Sequence, residues 1–463
     1  MAAGVAQAIN PRCERPNVKS VSYLIYRKAL PLTQTQHMTN CQYNSSWPGG
    51  VPLSGVKGQE SAMTVPAMDL DPELTELEKA AWDTAHRFAR DVLRPAGQKL
   101  DKLPAGDVIA RDSILWDVFR QYRELGLGIF EQDSEFPLRD QARMRCIVGE
   151  EMGWGDAGLA ISLGVSNFPS MMAQMSGNRA LIERFPIGTL GCWAITEPDH
   201  GSDMINFEGT IGHPNGRAGR PNCLARRDGN GWVISGQKSA WVSNGTIAEA
   251  AALFCAVDMG DGHMGNGVFV VPLNEDGVKK GKPTDKIGQR ALNQGEIFFD
   301  GLKVPMDSMV IPPELYRATA DRILCLANGG MGTTFVGCAR AALELAIDYA
   351  KTRVQGEVTI FAHQSVKSRL FKMFQKVEAA RALNHRVIRI NMTREVPVLE
   401  MAIASKVTST QVAFDVASDA LQIFGGAGIS RDCPIEKIFR DARISMIEDG
   451  CNEVLGMVAA ARF

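Results

Sequence analysis

Hydrophobic and polar positions follow two different periods along the chain. Over residues 74–92 apolar side chains recur every three or four positions, which predicts a helix with one apolar stripe. The stripe consists of Leu74, Leu77, Ala81, Ala85, Phe88 and Val92. Asp71 followed by Pro72 predicts the start of this helix, and Arg94-Pro95 predicts its end. Further helical patterns continue to about residue 185, with breaks at 153–155 and 177–178.

The period shortens between about residue 188 and residue 305. Short runs of strand-forming residues are separated there by Gly, Asp and Asn turns, which predicts a compact antiparallel β domain. The predicted strands are 191–196, 231–235, 251–257, 267–272 and 296–299. Residues 213–224 have the composition of a surface loop.

Long helical patterns return from about Asp321 to the end of the chain. One predicted helix carries Leu343, Ala346, Ile347, Ala350 and Val354 on a single face. A second runs from about Leu399 to Phe424 and stops at Gly425-Gly426. The order of helices, β domain and helices lacks the βαβ alternation of a doubly wound nucleotide fold. We therefore predict a multidomain α+β protein with boundaries at 1–66, 67–187, 188–308 and 309–463.

Composition narrows the class of protein. The 463 residues are 45% hydrophobic, enough for a large core, and the net charge of -2 gives no broad basic field for nucleic acid or an anionic membrane. No apolar run is long enough to span a bilayer. Ten scattered cysteines and seven histidines without close pairs predict a reducing compartment and no metal site.

The first 63 residues differ from the rest in charge. They carry six Lys or Arg and two acids, Glu14 and Glu60, and they lack a secretory hydrophobic core. We interpret residues 1–66 as a disordered extension or leader, or as translation upstream of a true start at Met63. The predicted location is the cytoplasm, or the mitochondrial matrix if residues 1–62 form a transit peptide.

One motif is misleading. Residues 260–265 match the dinucleotide fingerprint G-x-G-x-x-G. A predicted strand follows them instead of a helix, so a pyrophosphate would find no helix N-terminus there. A hairpin turn is the preferred interpretation.

Four separated segments carry the candidate chemistry. The first, 193–203, is a strand that ends in a turn, and such a turn exposes backbone N–H groups and hydroxyls to a ligand. The second is 236–245. The third, 286–290 with 298–305, is expected to shape the β domain and to do little chemistry. The fourth, 422–428 with 440–453, contains glycines that let the backbone approach a phosphate or adenine closely.

Together and in this order, the four segments resemble the acyl-CoA dehydrogenase family over roughly residues 70–463. The first resembles the family's T-E-P-x-x-G-S-D signature, and the second resembles G-x-K-x-W-[IV]-[TS]-N-G with one extra residue before Trp241. The resemblance implies a helical N-terminal domain, a middle β domain and a C-terminal four-helix bundle. It also implies FAD as the cofactor and α,β-desaturation of an acyl-CoA thioester as the reaction.

The resemblance assigns residues to the cofactor. Thr196 is expected to hydrogen-bond the flavin, Ser202 to contact the substrate as well as the cofactor, and Ser243 to place its hydroxyl near N5. Flavin contacts are also implied for Trp193, Ile195, Trp241, Val242, Cys451 and Glu453. Across a subunit boundary, the ADP part of FAD is assigned to Arg353, Gln364, Gln422, Gly425 and Gly426. A cofactor shared in this way requires a dimer, and the family is usually tetrameric.

The general base departs from the family pattern I-Y-E-G-T, because this chain reads Ile-Glu-Asp-Gly-Cys over residues 447–451. Counting back from Gly450, which the resemblance places at the substrate, Asp449 falls on the base position and Glu448 on the tyrosine position. The base should have a raised pKa in an apolar slot. Some members place the base before an arginine, which here is Asp321-Arg322 at the substrate channel. Asp321 and Glu448 therefore stay open as alternatives, and Asp321 is otherwise a first-turn helix acid.

Three function classes remain open. The leading one is an FAD-dependent acyl-CoA dehydrogenase that passes electrons to an acceptor such as an electron-transfer flavoprotein. The altered base motif keeps a second class open, an acyl-CoA oxidase or a flavin-dependent lyase. A non-catalytic acyl-CoA-binding subunit is the third.

Overall fold

A computed structural model describes residues 74–128, 137–206, 221–260 and 264–463. The extension at 1–66, Asp71 and Pro72, and most of the 213–224 loop lie outside the described residues. The first described helix, α1 (Glu76–Phe88), begins at a capping box in which Thr75 and Glu78 bond reciprocally.

The first helix continues past its predicted end. A π-helical turn (Ala89–Leu93) follows α1 and leads into α2 (Arg94–Asp101). The π turn shifts the pairing, so that the Arg94 N–H bonds to the Ala89 carbonyl, and Pro95 then lies in the first turn of α2. The predicted break at Arg94-Pro95 is therefore wrong.

Shorter helices complete the N-terminal region. They are α3 (Ala105–Val108), α4 (Leu115–Leu125), α5 (Leu138–Gly155), α6 (Ala157–Ser166), α7 (Phe168–Ser176) and α8 (Arg179–Arg184). The two predicted breaks are confirmed. Asp156 separates α5 from α6 and caps α6 through the Leu159 N–H, and Gly177 ends α7 in a left-handed conformation.

An eight-stranded sheet forms the middle of the molecule. Its strands are β1 (Gly191–Ala194), β2 (Leu224–Asp228), β3 (Gly231–Lys238), β4 (Ala250–Asp258), β5 (Met264–Pro272), β6 (Val278–Lys280), β7 (Ile297–Pro305) and β8 (Met309–Ile311). The order is β6-β7-β3-β2-β4-β5-β8. Both β1 and β2 pair with β4 in parallel, along the edge that β5 leaves open, and the other pairs are antiparallel. Three short strands, β2, β6 and β8, were not predicted.

The central strand β4 is buried on both sides. Ala250, Ala252 and Phe254 belong to a core shared with the helices, whereas Leu253 and Cys255 belong to a core inside the β region. The hairpin β4–β5 pairs Asp258 with Met264, so the G-x-G-x-x-G match lies between two strands and a strand follows it, as predicted. Residues 261–263 of the match lie outside the described residues. Trp193 on β1 joins the shared core, so the segment that follows β1 emerges beside the C-terminal helices.

The C-terminal helices form the predicted bundle. They are α9 (Pro313–Thr352), α10 (Gln364–Thr393), α11 (Leu399–Phe424), α12 (Pro434–Ser445) and α13 (Asn452–Ala460), with a small hairpin of β9 (Val354–Gln355) and β10 (Val358–Thr359) after α9. The first four of these helices pack together, and the predicted bounds of α11 are confirmed. Val354 was predicted to share the buried face of α9, and this prediction is wrong. Because α9 ends at Thr352, Val354 lies in β9 and is exposed.

Two glycines join the N-terminal helices to the bundle. A Cβ added at Gly153 would lie 2.0 Å from the Thr334 carbonyl oxygen, and one at Gly337 would lie 2.0 Å from the Glu150 carbonyl oxygen. Only glycine permits α5 and α9 to pack backbone to backbone at this distance. Within the described ranges, no helix is both long and apolar enough to cross a membrane.

Candidate functional site

The turn after β1 is fixed by a buried ion pair. Lys238 Nζ lies 2.7 Å from Glu197 Oε1, both side chains are fully buried, and the ammonium also donates to the Ile195 carbonyl at 3.0 Å. The Glu197 carboxylate accepts from the backbone N–H groups of Asn222 and Cys223. Because each charge has several partners, the pair holds the turn rigidly against the end of β3.

The first two sequence motifs, which the resemblance assigns to the flavin, meet at this turn. Ser239 N–H donates to the Thr196 carbonyl at 3.0 Å, and the hydroxyls of the two residues lie 2.7 Å apart. Trp241 follows with 61% of its surface exposed, while Val242 is buried. Ser243 Oγ accepts from Gln294 Nε2 at 3.2 Å. The structure thus brings the first and second sequence motifs together as one surface.

The C-terminal segment 447–453 closes against the same turn. The Cys451 N–H donates to Ser202 Oγ at 3.0 Å. Gly450 has a φ of 90°, and a Cβ there would lie 2.6 Å from Ile205 Cδ1. The backbone conformation therefore favours glycine at 450, and a side chain there would also displace the end of the Ile205 side chain.

The candidate base lies in this segment, between α12 and α13. Asp449 is half-buried and adopts a left-handed conformation with φ 51°. Burial raises the pKa of the Asp449 carboxyl, and nearby Lys406 opposes the shift. The direction is the one expected for a general base.

Glu448 is a second carboxyl beside the first. Burial, followed by the charge of Asp449, raises the pKa of Glu448 to about 7. Its Oε1 accepts from Gln289 Nε2 at 2.6 Å. Two carboxyls with raised pKa values therefore follow each other in the chain, at the place where the family pattern has tyrosine and glutamate.

Two lysines flank the carboxyls, the half-buried Lys286 and the fully buried Lys406. Burial lowers the pKa of Lys286 and of Lys406 to about 8, although both lie near Glu448. Lys406 Nζ donates to the Gly450 carbonyl at 2.8 Å and to Asn452 Oδ1 at 2.9 Å. Sequence reasoning missed Lys406. The available signal was a charged residue on an otherwise small and apolar face of α11, whose buried members include Ala402, Ile403, Ser409 and Ala413.

The alternative base position has a different environment. Both carboxylate oxygens of Asp321 accept from Arg462 Nη2 at 2.9 Å, so a salt bridge to the chain's penultimate residue holds this side chain. Arg322 is exposed and donates to the Glu395 carbonyl. Asp321 is the ninth residue of the 40-residue helix α9 and does not lie in its first turn.

The residues assigned to the ADP part lie at one end of the bundle. The rings of Tyr349 and Phe424 stack at 4.1 Å and join the end of α9 to the end of α11. Arg353 caps α9 just beyond this stack. The other members are Gln364 at the start of α10, Gln422 near the end of α11, and Gly425 and Gly426 directly after it. All five are exposed in the single chain.

The residues present fit a flavin. Trp241 offers a large exposed ring face, and hydrogen bonds through Ser239 and Gln294 join its backbone to the hydroxyls of Thr196 and Ser243. The Trp193 Nε1 is buried and has no hydrogen-bond partner among the described residues, although its ring stacks on Phe168 at 5.0 Å. An aromatic group with hydrogen-bonding edges suits this combination of exposed ring and polar atoms. The remaining assigned residue, Glu453, is exposed at the start of α13.

Comparison with known proteins identifies the family of the chain. Residues 192–302 match the acyl-CoA dehydrogenase middle domain, and residues 324–463 match the acyl-CoA dehydrogenase C-terminal domain. A Mycobacterium bovis protein described as a probable acyl-CoA dehydrogenase, fadE25, is 30% identical over 318 residues, which cover 68% of this chain and 78% of that protein.

Two further relatives cover most of the chain. The mitochondrial short-chain specific acyl-CoA dehydrogenase of Bos taurus is 28% identical over 398 residues, or 84% of this chain and 90% of that protein. The solved structure of butyryl-CoA dehydrogenase from Megasphaera elsdenii superposes with a TM-score of 0.72 at 27% identity. That match covers 85% of this chain and 99% of the solved chain, which confirms the predicted fold.

Proposed function

Because this chain belongs to the acyl-CoA dehydrogenase family, whose members are FAD-dependent oxidoreductases acting on CH–CH donors, we propose that it desaturates an acyl-CoA thioester. In this proposal Asp449 removes the α-proton. The observation that supports it best is the hydrogen bond from the Cys451 N–H to Ser202 Oγ. That bond joins the segment of the candidate base to the turn that carries the flavin-side residues.

The chemistry that bound FAD would supply is acceptance of the β-hydrogen of the thioester as hydride. Thr196, Trp241 and Ser243 would hold its ring, since a chain of hydrogen bonds joins the three residues and the Trp241 indole is exposed. Arg353, Gln422, Gly425 and Gly426 would hold the ADP part of a neighbouring subunit's cofactor. Their exposure at one end of the bundle supports an assembly of at least two chains, with a tetramer as the proposed state.

Asp449 acts as the proton acceptor in this proposal. Its raised pKa makes the carboxylate a stronger base than an aspartate in water. The bond from Lys406 to the Gly450 carbonyl and the left-handed conformation at Asp449 fix the segment. A fixed backbone is important because aspartate is shorter than glutamate by one methylene, and a displacement of about 1 Å can cost roughly a hundredfold in rate. We propose Asp449 over Asp321 because the Asp321 carboxylate is already paired with Arg462.

The substrate proposal begins with short acyl chains. The relatives that match over most of this chain include proteins named for short-chain acyl-CoA and for butyryl-CoA. Butyryl-CoA is therefore the first substrate to test, followed by longer and branched acyl-CoAs. An electron-transfer flavoprotein is the proposed acceptor of the electrons.

Anaerobic reduction of the bound flavin tests the proposal. The purified protein should be yellow, and butyryl-CoA or another acyl-CoA of the panel should bleach the visible flavin absorbance. The 2-enoyl-CoA product should appear in equal amount. A protein that keeps FAD but is reduced by no acyl-CoA would contradict the proposal. Rapid peroxide formation in air would instead indicate an oxidase, and conversion without net flavin reduction would indicate a lyase.

A further inference from the structure

The hydrogen-bond direction at the Ser243 hydroxyl is set by its neighbour Gln294. Gln294 Nε2 donates to Ser243 Oγ and to the Trp241 carbonyl, each at 3.2 Å. An amide nitrogen does not accept hydrogen bonds, so the Ser243 proton does not point at Gln294. Within the part of the chain that the structure describes, no residue accepts that proton. The half-buried hydroxyl can therefore donate to a ligand.

Two neighbours fix the orientation of the Gln294 amide. The Trp241 carbonyl only accepts hydrogen bonds, so it requires the amide nitrogen on its side. On the other side, Lys286 Nζ donates to Gln294 Oε1 at 3.0 Å, and an ammonium only donates. The Leu292 carbonyl holds the same Nζ at 2.8 Å. An amide turned over by 180° would lose the bonds to Trp241 and Lys286, so the N–H toward Ser243 stays in place.

The backbone around Gln294 is fixed as well. Gln294 is buried and pairs with Ser243 in an isolated antiparallel bridge. Its carbonyl accepts from the Thr284 N–H at 2.8 Å, and the Gly295 N–H donates to the Val242 carbonyl at 3.3 Å. Because the main chain is held on both sides, the amide has little freedom to leave the Ser243 hydroxyl.

We propose that Gln294 is a positioning residue that makes the Ser243 hydroxyl a hydrogen-bond donor to the flavin ring. This inference rests on the proposed function, in which Ser243 holds the ring of FAD, and on the resemblance that places its hydroxyl near N5. The N5 atom of an oxidised flavin offers a lone pair, which requires a donor. Gln294 acts on the ring only through Ser243.

A fixed donor differs in its effect from a hydroxyl that rotates. A serine hydroxyl both donates and accepts, and without Gln294 it would divide its time between the two directions. Gln294 occupies an acceptor site of Ser243 Oγ and leaves the proton for the ring, so the hydroxyl is preorganised as a donor. We therefore expect the protein to prefer a ring that can accept a hydrogen bond at position 5.

A comparison of two ligands tests this preference in the full-length protein after its FAD has been removed. The probes are FAD and 5-deaza-FAD, in which a C–H group replaces N5 and accepts no hydrogen bond. The wild type should bind 5-deaza-FAD about threefold to tenfold more weakly than FAD, which is the contribution of one hydrogen bond. Calorimetric titration gives both dissociation constants. Equal constants in the wild type would overturn the inference.

The variant Gln294→Glu separates orientation from packing. The side chain keeps its size, but a carboxylate only accepts, so the Ser243 proton turns toward it and away from the ring. Lys286 balances the added charge, since its Nζ already contacts this side chain. The preference for FAD over 5-deaza-FAD should fall below about twofold. Retention of the wild-type preference in this variant would overturn the inference.

Two further variants cover the case in which Gln294→Glu does not fold. Gln294→Met removes the donor and leaves the Ser243 hydroxyl free to rotate, so the preference should fall here too. Ser243→Ala removes the hydroxyl itself and should bind the two ligands equally. A wild-type preference in either variant would overturn the inference.

The matched control is Gln237→Met. Gln237 is a half-buried glutamine on β3, and its amide donates to Glu296 Oε1 at 3.0 Å and not to Ser243. This variant should keep the wild-type preference. If it also lost the preference, the ratio would report general damage to the sheet, and the inference would be overturned.

The binding measurements need no turnover, which separates this inference from the proposed function. Failure of the proposed function would appear as a bound wild-type flavin that no acyl-CoA reduces, while the two dissociation constants still differ. Failure of the inference would appear as equal dissociation constants in a protein whose flavin acyl-CoA does reduce.

Discussion

The candidate site has two walls, the turn after β1 (the first wall) and the segment 447–453 (the second wall). They differ in how the hydrogen bonds and charges of their polar groups are satisfied. In the turn after β1, the charges of Glu197 and Lys238 are fully buried and each has several short hydrogen bonds. In the segment 447–453, the carboxyls of Glu448 and Asp449 are half-buried, and burial raises the pKa of both. The pKa of Glu448, about 7, approaches the lowered pKa values of about 8 of Lys286 and Lys406. The charges of the first wall are fully paired, whereas groups of the second wall can gain or lose protons.

This difference indicates a structural role for the first wall and a chemical role for the second. A saturated buried ion pair gives rigidity, and removing one partner leaves the other charged and unpaired. Ionisable groups with pKa values near neutrality can exchange protons during a reaction. We therefore expect changes in the first wall to affect folding and FAD binding, and changes in the second wall to affect rates and their dependence on pH.

The largest expected effect is that of Asp449→Asn. An asparagine cannot accept the α-proton, so the rate of flavin reduction by acyl-CoA should fall by about 10²–10⁴-fold. The amount of bound FAD should stay near that of the wild type, because the variant leaves Thr196 and Ser243, the proposed flavin contacts, unchanged. Stopped-flow absorbance measures the rate, and the spectrum of the purified variant measures the FAD content.

The matched comparison is Asp321→Asn, which changes the other candidate base. This variant loses the salt bridge to Arg462 but should reduce its flavin within a few-fold of the wild-type rate. The opposite pattern, with Asp321→Asn inactive and Asp449→Asn active, would transfer the role of base to Asp321.

Some parts of the site could be predicted from the sequence because they are local in the chain. The turn after β1 and the segment 447–453 are each short segments of contiguous residues in the sequence. Lys406 and Gln289 could not be predicted in the same way, because they meet Glu448 and Gly450 only after α11 and the β6–β7 loop have folded against the C-terminal segment. Sequence spacing carries no information about such contacts.

The fold shows the same division. Periodicity predicted α11 to its last residue, because a long regular face and two glycines define it. It failed at Arg94-Pro95, where a π turn changes the hydrogen-bond register, and at Val354, where the chain leaves the helix for a short hairpin. Both are local changes of backbone pairing that leave the hydrophobic pattern intact.

The second-largest effect should come from Lys238→Met in the first wall. The variant leaves Glu197 charged and buried without its cation, which should cost about 3–5 kcal/mol of folding free energy and reduce FAD content. Chemical denaturation and flavin absorbance measure the two effects. The control is Arg226→Met, whose partner Asp258 lies 3.8 Å away in a largely exposed pair, and about 1 kcal/mol or less is expected there. Equal effects in both variants would contradict the structural role of the buried pair.

Lys406→Met in the second wall should act on pH dependence. Lys406 lowers the pKa of Asp449, so its removal should raise that pKa and move the acidic limb of the rate profile to higher pH. Flavin reduction measured from acid to neutral pH gives the limb. The control variant Lys372→Met changes an exposed lysine of α10 and should leave the acidic limb at the wild-type pH. An acidic limb that moves downward would mean that Asp449 is not the titrating group.

The smallest expected effect concerns stability and distinguishes Glu448 from an ordinary surface acid. Folding raises the pKa of Glu448 from 4.5 to about 7, so the native state binds the proton more tightly than the unfolded chain. The resulting stabilisation is complete below about pH 4.5 and is lost as the pH rises through about 7. The Glu448→Gln variant has no carboxyl to ionise at this position, so it does not lose stability in this way as the pH rises. Its melting temperature relative to the wild type should therefore be higher at about pH 7.5 than at about pH 5.

The difference should correspond to about 1 kcal/mol, because Glu448 is only half-buried and water screens part of the interaction. Thermal melts of both proteins at the two pH values measure it. Asp276→Asn is the control, since an exposed carboxyl should give the same offset from the wild type at both pH values. If Glu448→Gln also gave a constant offset, its carboxyl would resemble that of Asp276, and the contrast between a wall of fixed charge and a wall of changeable charge would be lost.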